Sequence, residues 1–270
     1  MDKEELDIVN FRSEIDSLNP SNKKRLAEQF ALAALGSIPW VGGFIGAVLS
    51  YKSEEGNIKL NLLQTKWLEE HQKKLENLNI TLNVIAQRFE SLGDEIDERL
   101  ESDEYLDLVR KSFRVWNEAD TEDKRKLVSN MITNAVSVKL CSDDIIRLFI
   151  DWLNNYHEVH FQVMRIIYLE PGVTRHDIWT KLHDSIPRED SAEADLYRML
   201  IRDLSTGGVI RQARNTTEDG RFLKQRQATS LKKTSSTMES AFETNKQYVL
   251  TELGKQFVHY TMNEVVTKLD

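Results

Sequence analysis

The feature that most constrains the fold is a long apolar segment near the N-terminus. No charged residue occurs from Gln29 to Tyr51. The run exceeds the roughly 20 residues that an α-helix needs to span a bilayer core. It contains Pro39, which removes a backbone donor and disfavours one straight helix. We therefore expect two short apolar helices on either side of a bend at Ser37-Ile38-Pro39.

Two interpretations of this segment remain open. It is either a buried helical hairpin at the centre of a bundle, or an element that is held in the soluble form and inserts into a membrane on activation. The G-x-x-x-G spacing of Gly42 and Gly46 suits both, because small residues allow close helix packing in protein or in lipid. The residues proposed for membrane insertion are Phe30, Leu35, Pro39, Trp40, Gly42, Gly43 and Gly46.

A heptad pattern follows the apolar segment. Large apolar residues recur at alternating spacings of three and four between Leu75 and Ile96, with Leu68 one heptad earlier. This is the pattern of a coiled-coil seam, and we expect one long helix over about 58–100. The seam either packs within an intramolecular bundle or assembles copies of the chain. The residues proposed for oligomerisation are Leu75, Leu78, Leu82, Ile85, Phe89, Leu92 and Ile96.

Shorter helices are expected after the heptad region. The apolar spacing predicts them at about 103–117, 121–139 and 142–155. Together with the apolar segment and the heptad helix, they would form an N-terminal helical bundle over residues 1–155. The chain has only 11 Gly and 4 Pro in 270 residues, and so few helix breakers favour a mainly α architecture.

The order of elements changes from about residue 156. Three helices, a strand, a long polar loop, a strand and a helix form the order of a winged helix-turn-helix. The run YVLTELGKQFV at 248–258 resembles the closing strand and helix of bacterial winged-helix domains. We therefore predict a winged-helix domain of the α+β class over 156–270. This fold serves both DNA binding and protein binding, so it does not decide the function.

The basic residues of this domain lie mainly in the loop after its third helix. That helix, at about 191–205, offers Arg198 and Arg202 against three acidic residues, which makes it a poor recognition helix. The loop would contact phosphate or a minor groove, dock a protein partner, or remain a solvated wing. The residues proposed for partner or DNA binding are Arg211, Arg214, Arg221, Lys224 and Arg226.

Catalysis and metal binding receive little support. The sequence has no G-x-x-x-x-G-K-[ST], G-x-G-x-x-G or G-x-S-x-G motif. His157 and His160 lack an evident third ligand, and the acidic neighbours of Cys141 disfavour a thiolate. We expect a protein that is not an enzyme and needs no metal or cofactor. The net charge of −8 disfavours non-specific binding of the whole surface to nucleic acid or anionic membranes.

Two stretches resemble small helical bacterial proteins of phage defence and abortive infection. One is the string IPWVGGFIG at 38–46 with the heptad helix after it, and the other is the region from Tyr105 to Tyr168 with its core EADTEDKRKLVSNMITNAV. The resemblance implies a pore-forming, membrane-disrupting effector that is cytoplasmic at rest. A trigger such as a phage protein, recognised by the C-terminal domain, would make several copies oligomerise and insert into the inner membrane.

The alternative function belongs to another class. The chain would be a DNA-binding transcriptional regulator of the winged-helix type that dimerises through residues 68–96. Its binding to DNA would then depend strongly on salt concentration and on the basic loop.

Overall fold

The computed structural model describes residues 22–53, 62–137, 140–215, 217, 219, 221–223 and 239–263. The described residues form eleven α-helices and one small three-stranded sheet, so the protein is mainly α, as predicted. They divide into two compact units. One contains the described parts of 1–155 and of 260–270, and the other is 156–259. Residues 260–263, which the sequence pattern assigned to the C-terminal domain, thus belong to the first unit.

The first unit is a bundle of helices. They are α1 (Asn22–Gly36), α2 (Pro39–Ser53), α3 (Leu62–Leu92), α4 (Asp97–Glu101), α5 (Asp103–Glu118), α6 (Glu122–Ser137) and α7 (Asp143–Asn155). The predicted helices at 103–117 and 142–155 are confirmed. The predicted helix at 121–139 is confirmed as far as Ser137, and its last two positions lie outside the described residues.

Helix α5 organises this bundle because its apolar residues recur every three or four positions on one face. Ser102 caps its N-terminus, where the hydroxyl accepts a hydrogen bond from the Tyr105 N–H at 3.4 Å. The apolar face packs on α1, α4, α6 and α7. Phe113 is fully buried on this face, and its ring centroid lies 5.9 Å from that of Phe30 on α1.

The bend predicted in the apolar segment is confirmed. Helix α1 ends at Gly36 and α2 begins at Pro39. The stretches Arg25–Gly36 and Pro39–Gly46 meet at 93°. Proline is favoured at the first position of a helix, where its missing N–H would have had no helical partner.

The heptad helix is shorter than predicted. Helix α3 ends at Leu92 instead of continuing to about residue 100, and positions 54–61 lie outside the described residues. Gly93 has φ 77°, a left-handed conformation that favours glycine and ends the helix. A short 3-10 helix, Asp94–Ile96, follows. The prediction of one continuous helix through Ile96 is therefore wrong.

The second unit combines helices with a small antiparallel sheet. Its elements are α8 (Glu158–Leu169), β1 (Val173–Thr174), α9 (Arg175–Leu182), α10 (Ala192–Thr206), β2 (Ile210–Gln212), β3 (Gln247–Leu250) and α11 (Glu252–Met262), the last of which ends in residues of the first unit. Strand β3 lies between β1 and β2 and is antiparallel to both. The two-residue strand β1 was not predicted, because it is too short to show an alternating pattern.

Thr174 caps α9, as its position before the helix indicates. The Asp177 N–H donates to the Thr174 hydroxyl at 3.2 Å, and the Thr174 N–H donates to the Asp177 carboxylate at 2.9 Å. This reciprocal pair satisfies two backbone donors at the helix start. The bonds from the Thr174 backbone and side chain hold the pKa of Asp177 below its ordinary value.

The run YVLTELGKQFV contains the junction of β3 and α11. Thr251 donates its hydroxyl proton to the Gly208 carbonyl at 2.6 Å and accepts from the Gly254 N–H at 2.9 Å. A Cβ atom on Gly254 would lie 2.2 Å from the Val209 carbonyl oxygen. Glycine is therefore required at this position by the close approach of helix and strand backbones.

Candidate functional site

The apolar segment has one face packed in the first unit. Phe30 lies between two rings of the bundle, with centroids 5.2 Å from Phe89 and 5.9 Å from Phe113. The residues of this packed face are almost fully buried: Phe30, Ala34, Ile38, Val41 and Phe44. One face of the segment is thus buried, as the hairpin interpretation expects.

The opposite face of the same segment is exposed and carries no charge. Leu32 is 69% exposed and Ile45 44% exposed. Gly42, Gly43 and Gly46 are also exposed, and a Cβ atom at any of them would meet no atom of the described residues within 4 Å. Among the described residues, no close helix packing is therefore present at the G-x-x-x-G motif in this state, and its use in lipid stays a prediction.

The remaining residues proposed for insertion lie between these two faces. Pro39 is exposed, and Leu35 is half-buried. Trp40 is half-buried and attached to the bundle, because its Nε1–H donates to Asn117 Oδ1 at 2.6 Å and its ring centroid lies 5.1 Å from that of His71.

Among the described helices, none taken singly is both long and apolar enough to cross a bilayer. The bent pair formed by Arg25–Gly36 and Pro39–Gly46 meets the length and composition criteria when its two halves are taken together. The segment of interest for membranes is therefore this bent pair.

The heptad seam lies inside the chain's own bundle. Leu78 and Ile85 are fully buried, Leu82, Phe89 and Ile96 nearly so, and Leu75 and Leu92 half-buried. Helix α3 packs on α1, α2 and α6. The seam therefore packs within the intramolecular bundle in this structure. Its buried residues cannot pair with a second copy of the chain unless the bundle opens.

A cavity of about 680 Å³ in the second unit is lined by arginines from four parts of the chain. Its floor is apolar, formed by the buried side chains of Ile201 and Ile210 with Tyr248. Its cationic lining comes from α9, α10, β2 and the residues after β2: Arg175, Arg198, Arg202, Arg211 and Arg214. Glu239 is the one acidic residue of the lining.

Two of these arginines are neutralised by carboxylates. Arg175 lies 3.6 Å from Glu239, and its Nε–H donates to the Tyr248 hydroxyl at 2.9 Å. A hydrogen bond from Lys246 keeps the pKa of Glu239 below its ordinary value, and Arg175 adds to this effect. Arg198 pairs with Glu189 and with Asp195 on its own helix.

The other three arginines of the cavity keep their charge uncompensated. Within the described ranges, no ion pair involves Arg202, Arg211 or Arg214. The Arg211 guanidinium lies over the ring of Phe222, 4.8 Å from its centroid, and that ring is 51% exposed. The cavity therefore presents cations and an accessible aromatic ring above an apolar floor.

The sequence located only part of this cavity. Arg211 and Arg214 were predicted to bind a partner, and both line it, whereas Arg221 is exposed and is not part of the lining. Lys224 and Arg226 lie outside the described residues. The contributions of Arg175, Phe222 and Tyr248 were missed, as was the role of Arg198 and Arg202 in a cavity. The pairing of Tyr248 with both Val173 and Gln212 brings these elements together, and no local pattern reveals that pairing.

The histidine pair at 157 and 160 shapes a helix start. The backbone N–H of His157 donates to Nδ1 of His160 at 3.1 Å, and the buried His160 ring stacks on Tyr156 at 5.0 Å. Burial lowers the pKa of His160. In the part of the chain that the structure describes, no group of three or more His, Cys, Asp or Glu side chains is placed to hold a metal ion. Burial raises the pKa of the Cys141 thiol, which opposes a nucleophilic role.

Comparison of the chain with protein-family models, with curated proteins and with solved structures finds no match. The bent apolar pair and the arginine-lined cavity are the two features of the described residues that bear on its function.

Proposed function

We propose that this protein is a membrane-disrupting effector of the pore-forming type in a bacterial anti-phage or abortive-infection system. The observation that carries the proposal is the exposed, uncharged face of the bent apolar pair, formed by Leu32, Pro39, Gly42, Gly43, Ile45 and Gly46. A face of this kind is suited to contact with lipid, whereas a hairpin that serves only as core would be covered on both sides. The protein would rest in the cytoplasm and act at the inner membrane.

Activation would require the bent pair to leave the bundle. Its packed face holds Phe30 against Phe89, so its departure would also uncover part of the heptad seam. The uncovered seam could then pair between copies of the chain. Release of the apolar pair and oligomerisation through Leu78, Leu82 and Phe89 would in this way be one event.

We further infer that the second unit is a winged-helix domain that senses the trigger. The support is the order of its elements, with β2 and β3 forming the wing and α10 in the position of the third helix. The exposed side chains in the first half of α10 include Glu193, Asp195, Leu196 and Met199. An acidic and apolar surface is poorly suited to the major groove of DNA. A phage protein is the type of trigger favoured by this surface.

The alternative, a DNA-binding regulator that dimerises through residues 68–96, has weaker support. The uncompensated charges of Arg202, Arg211 and Arg214 favour contact with phosphates. Against this stand the acidic start of α10 and a heptad seam that is occupied by the chain's own helices. Salt-dependent binding of duplex DNA that is lost on charge reversal of Arg211 and Arg214 would favour the regulator.

The decisive test uses the exposed glycine at position 43. A Cβ atom at Gly43 would meet no described atom within 4 Å, and Gly43 is exposed, so the Gly43→Glu protein should fold normally. In a bilayer the same carboxylate costs about 2.5–3.5 kcal/mol per copy near the centre of the membrane. We expect purified protein to release dye from loaded liposomes when lysate of phage-infected bacteria is added, and Gly43→Glu to abolish that release.

The matched control is Gly43→Ala, which adds a methyl group and no charge and should leak like the unmodified protein. Equal leakage by Gly43→Glu and Gly43→Ala would refute insertion of this segment. If the unmodified protein releases no dye either with or without the lysate, the bent pair is a partly exposed core hairpin. That result would favour the DNA-binding regulator.

A further inference from the structure

The arginine-lined cavity has the dimensions of a small-molecule site. Its volume of about 680 Å³ lies within the range of roughly 300–1,000 Å³ that is usual for ligand pockets. Such pockets combine an apolar surface with a few converging polar groups. Here Ile201, Ile210 and Tyr248 supply the apolar floor, and the arginines converge on it from α9, α10 and the region of β2.

The charge balance of the cavity selects an anionic ligand with more than one negative charge. Arg175 and Arg198 are paired with carboxylates, whereas Arg202, Arg211 and Arg214 form no ion pair with any residue that the structure describes. Guanidinium groups bind phosphate through two parallel hydrogen bonds, which makes arginine the favoured residue for phosphate recognition. Three such groups around one cavity match a chain of two or three phosphates.

The aromatic and apolar part of the cavity selects a flat ring. The Phe222 ring is half exposed, and the Arg211 guanidinium lies over it at 4.8 Å. Bases stack on aromatic rings and on guanidinium planes. Gln212 supplies a side-chain amide in the same lining, which can donate to and accept from the edge of a base.

We propose that this cavity binds a purine nucleoside di- or triphosphate. The phosphates would contact Arg202 and Arg214 with support from Arg211, and the base would stack on Phe222 above the apolar floor. This assignment does not depend on the proposed membrane function, because all of its residues lie in the second unit. It also gives the basic residues after α10 a use other than contact with duplex DNA.

The test is titration of the full chain with ATP and with GTP by isothermal calorimetry. Tripolyphosphate and adenosine are titrated separately, because they carry the phosphate chain and the ring alone. We expect at least one nucleotide to bind more tightly than either fragment by about tenfold or more. The double variant Arg202→Gln with Arg214→Gln should weaken nucleotide binding by about a hundredfold, since each charged hydrogen-bonding group contributes roughly a factor of ten.

Two further variants separate the contributions. Phe222→Leu should weaken nucleotide binding while leaving tripolyphosphate binding unchanged, because it removes only the stacking surface. Arg165→Gln removes one positive charge, as each of the two cavity substitutions does, but at an exposed position of α8 outside the cavity. It should leave binding within about twofold of the unmodified protein.

The proposal is overturned by any of four results. The first is that neither nucleotide binds at concentrations up to about 1 mM, which corresponds to a binding free energy of only about −4 kcal/mol. Tripolyphosphate binds as tightly as both nucleotides, which would make this a site for phosphate alone. Arg165→Gln weakens binding as much as the cavity variants, which would indicate non-specific attraction. The last is that the chain binds added duplex DNA and that neither nucleotide displaces the DNA, which would indicate that the arginines bind nucleic acid.

Discussion

Removal of the Phe89 side chain should make the protein damage membranes without a trigger. Phe89 is on α3, outside the bent apolar pair, and is only 7% exposed. Its ring meets that of Phe30 edge-on at 5.2 Å and 86°. Phe89→Ala therefore weakens the attachment of the apolar pair to the bundle and leaves the sequence of the pair unchanged.

The size of the effect follows from what holds the pair in place. The large side chains on its packed face are Leu26, Phe30, Ile38, Val41 and Phe44, each at most 5% exposed. Burial of such a side chain contributes about 1.5–3 kcal/mol, so release of the pair costs on the order of 10 kcal/mol. A buried Phe→Ala change costs about 3–5 kcal/mol. If most of this loss falls on the packed state, the released population rises by a factor of about a hundred or more, to on the order of one molecule in ten thousand or fewer. Insertion into lipid would then draw further copies out of the packed state.

The assay is dye release from liposomes of phosphatidylethanolamine and phosphatidylglycerol by the purified full chain, without lysate. Phe149→Ala is the matched control, because Phe149 is fully buried in the same unit and packs on Trp152 and Tyr260, outside the apolar pair. Both variants should lose similar unfolding free energy in urea, but only Phe89→Ala should release dye. Equal dye release by the two variants, or none by either, would refute the coupling between the seam and the apolar pair.

Two other perturbations test the second unit. Gly254→Ala should destabilise it by about 1–3 kcal/mol, because the new Cβ atom would lie 2.2 Å from the Val209 carbonyl oxygen. Amide exchange in β2 and β3 measures the loss, and unchanged exchange would contradict the close approach at Gly254. Burial lowers the pKa of His160 from 6.5, so the folded unit favours neutral His160, and its stability should fall as the pH drops below about 6.5. Urea midpoints between about pH 5 and 7.5 should show this slope, and His160→Gln should reduce it; an unchanged slope would contradict the assignment.

The local elements were predictable because their causes are local. Apolar spacing predicted α5, α6 and α7, and Pro39 predicted the bend, since proline acts through its own missing N–H. Gly93 was overlooked because the apolar spacing continues across it to Ile96. A glycine within a heptad pattern is compatible with a helix end, but the spacing does not show that Gly93 adopts a positive φ.

No local pattern in the sequence predicts the arginine-lined cavity. Its cations are separated by as many as 39 positions along the chain, from Arg175 to Arg214. They converge because β3 returns between β1 and β2 and carries Tyr248 into the middle of the sheet. Counting charges along the loop therefore found Arg214 but gave no reason to group it with Arg202.

The heptad seam illustrates what periodicity determines and what it leaves open. The spacing of Leu78, Leu82 and Ile85 determines that they share a face and must be buried, but it does not name the surface that buries them. In this structure helices of the same chain bury them, and Phe30 of the apolar pair contacts Phe89 of the same seam. A partner copy that used this seam would have to displace Phe30 from Phe89. If the chain forms pores, assembly should therefore be detectable only under conditions that also expose the bent pair.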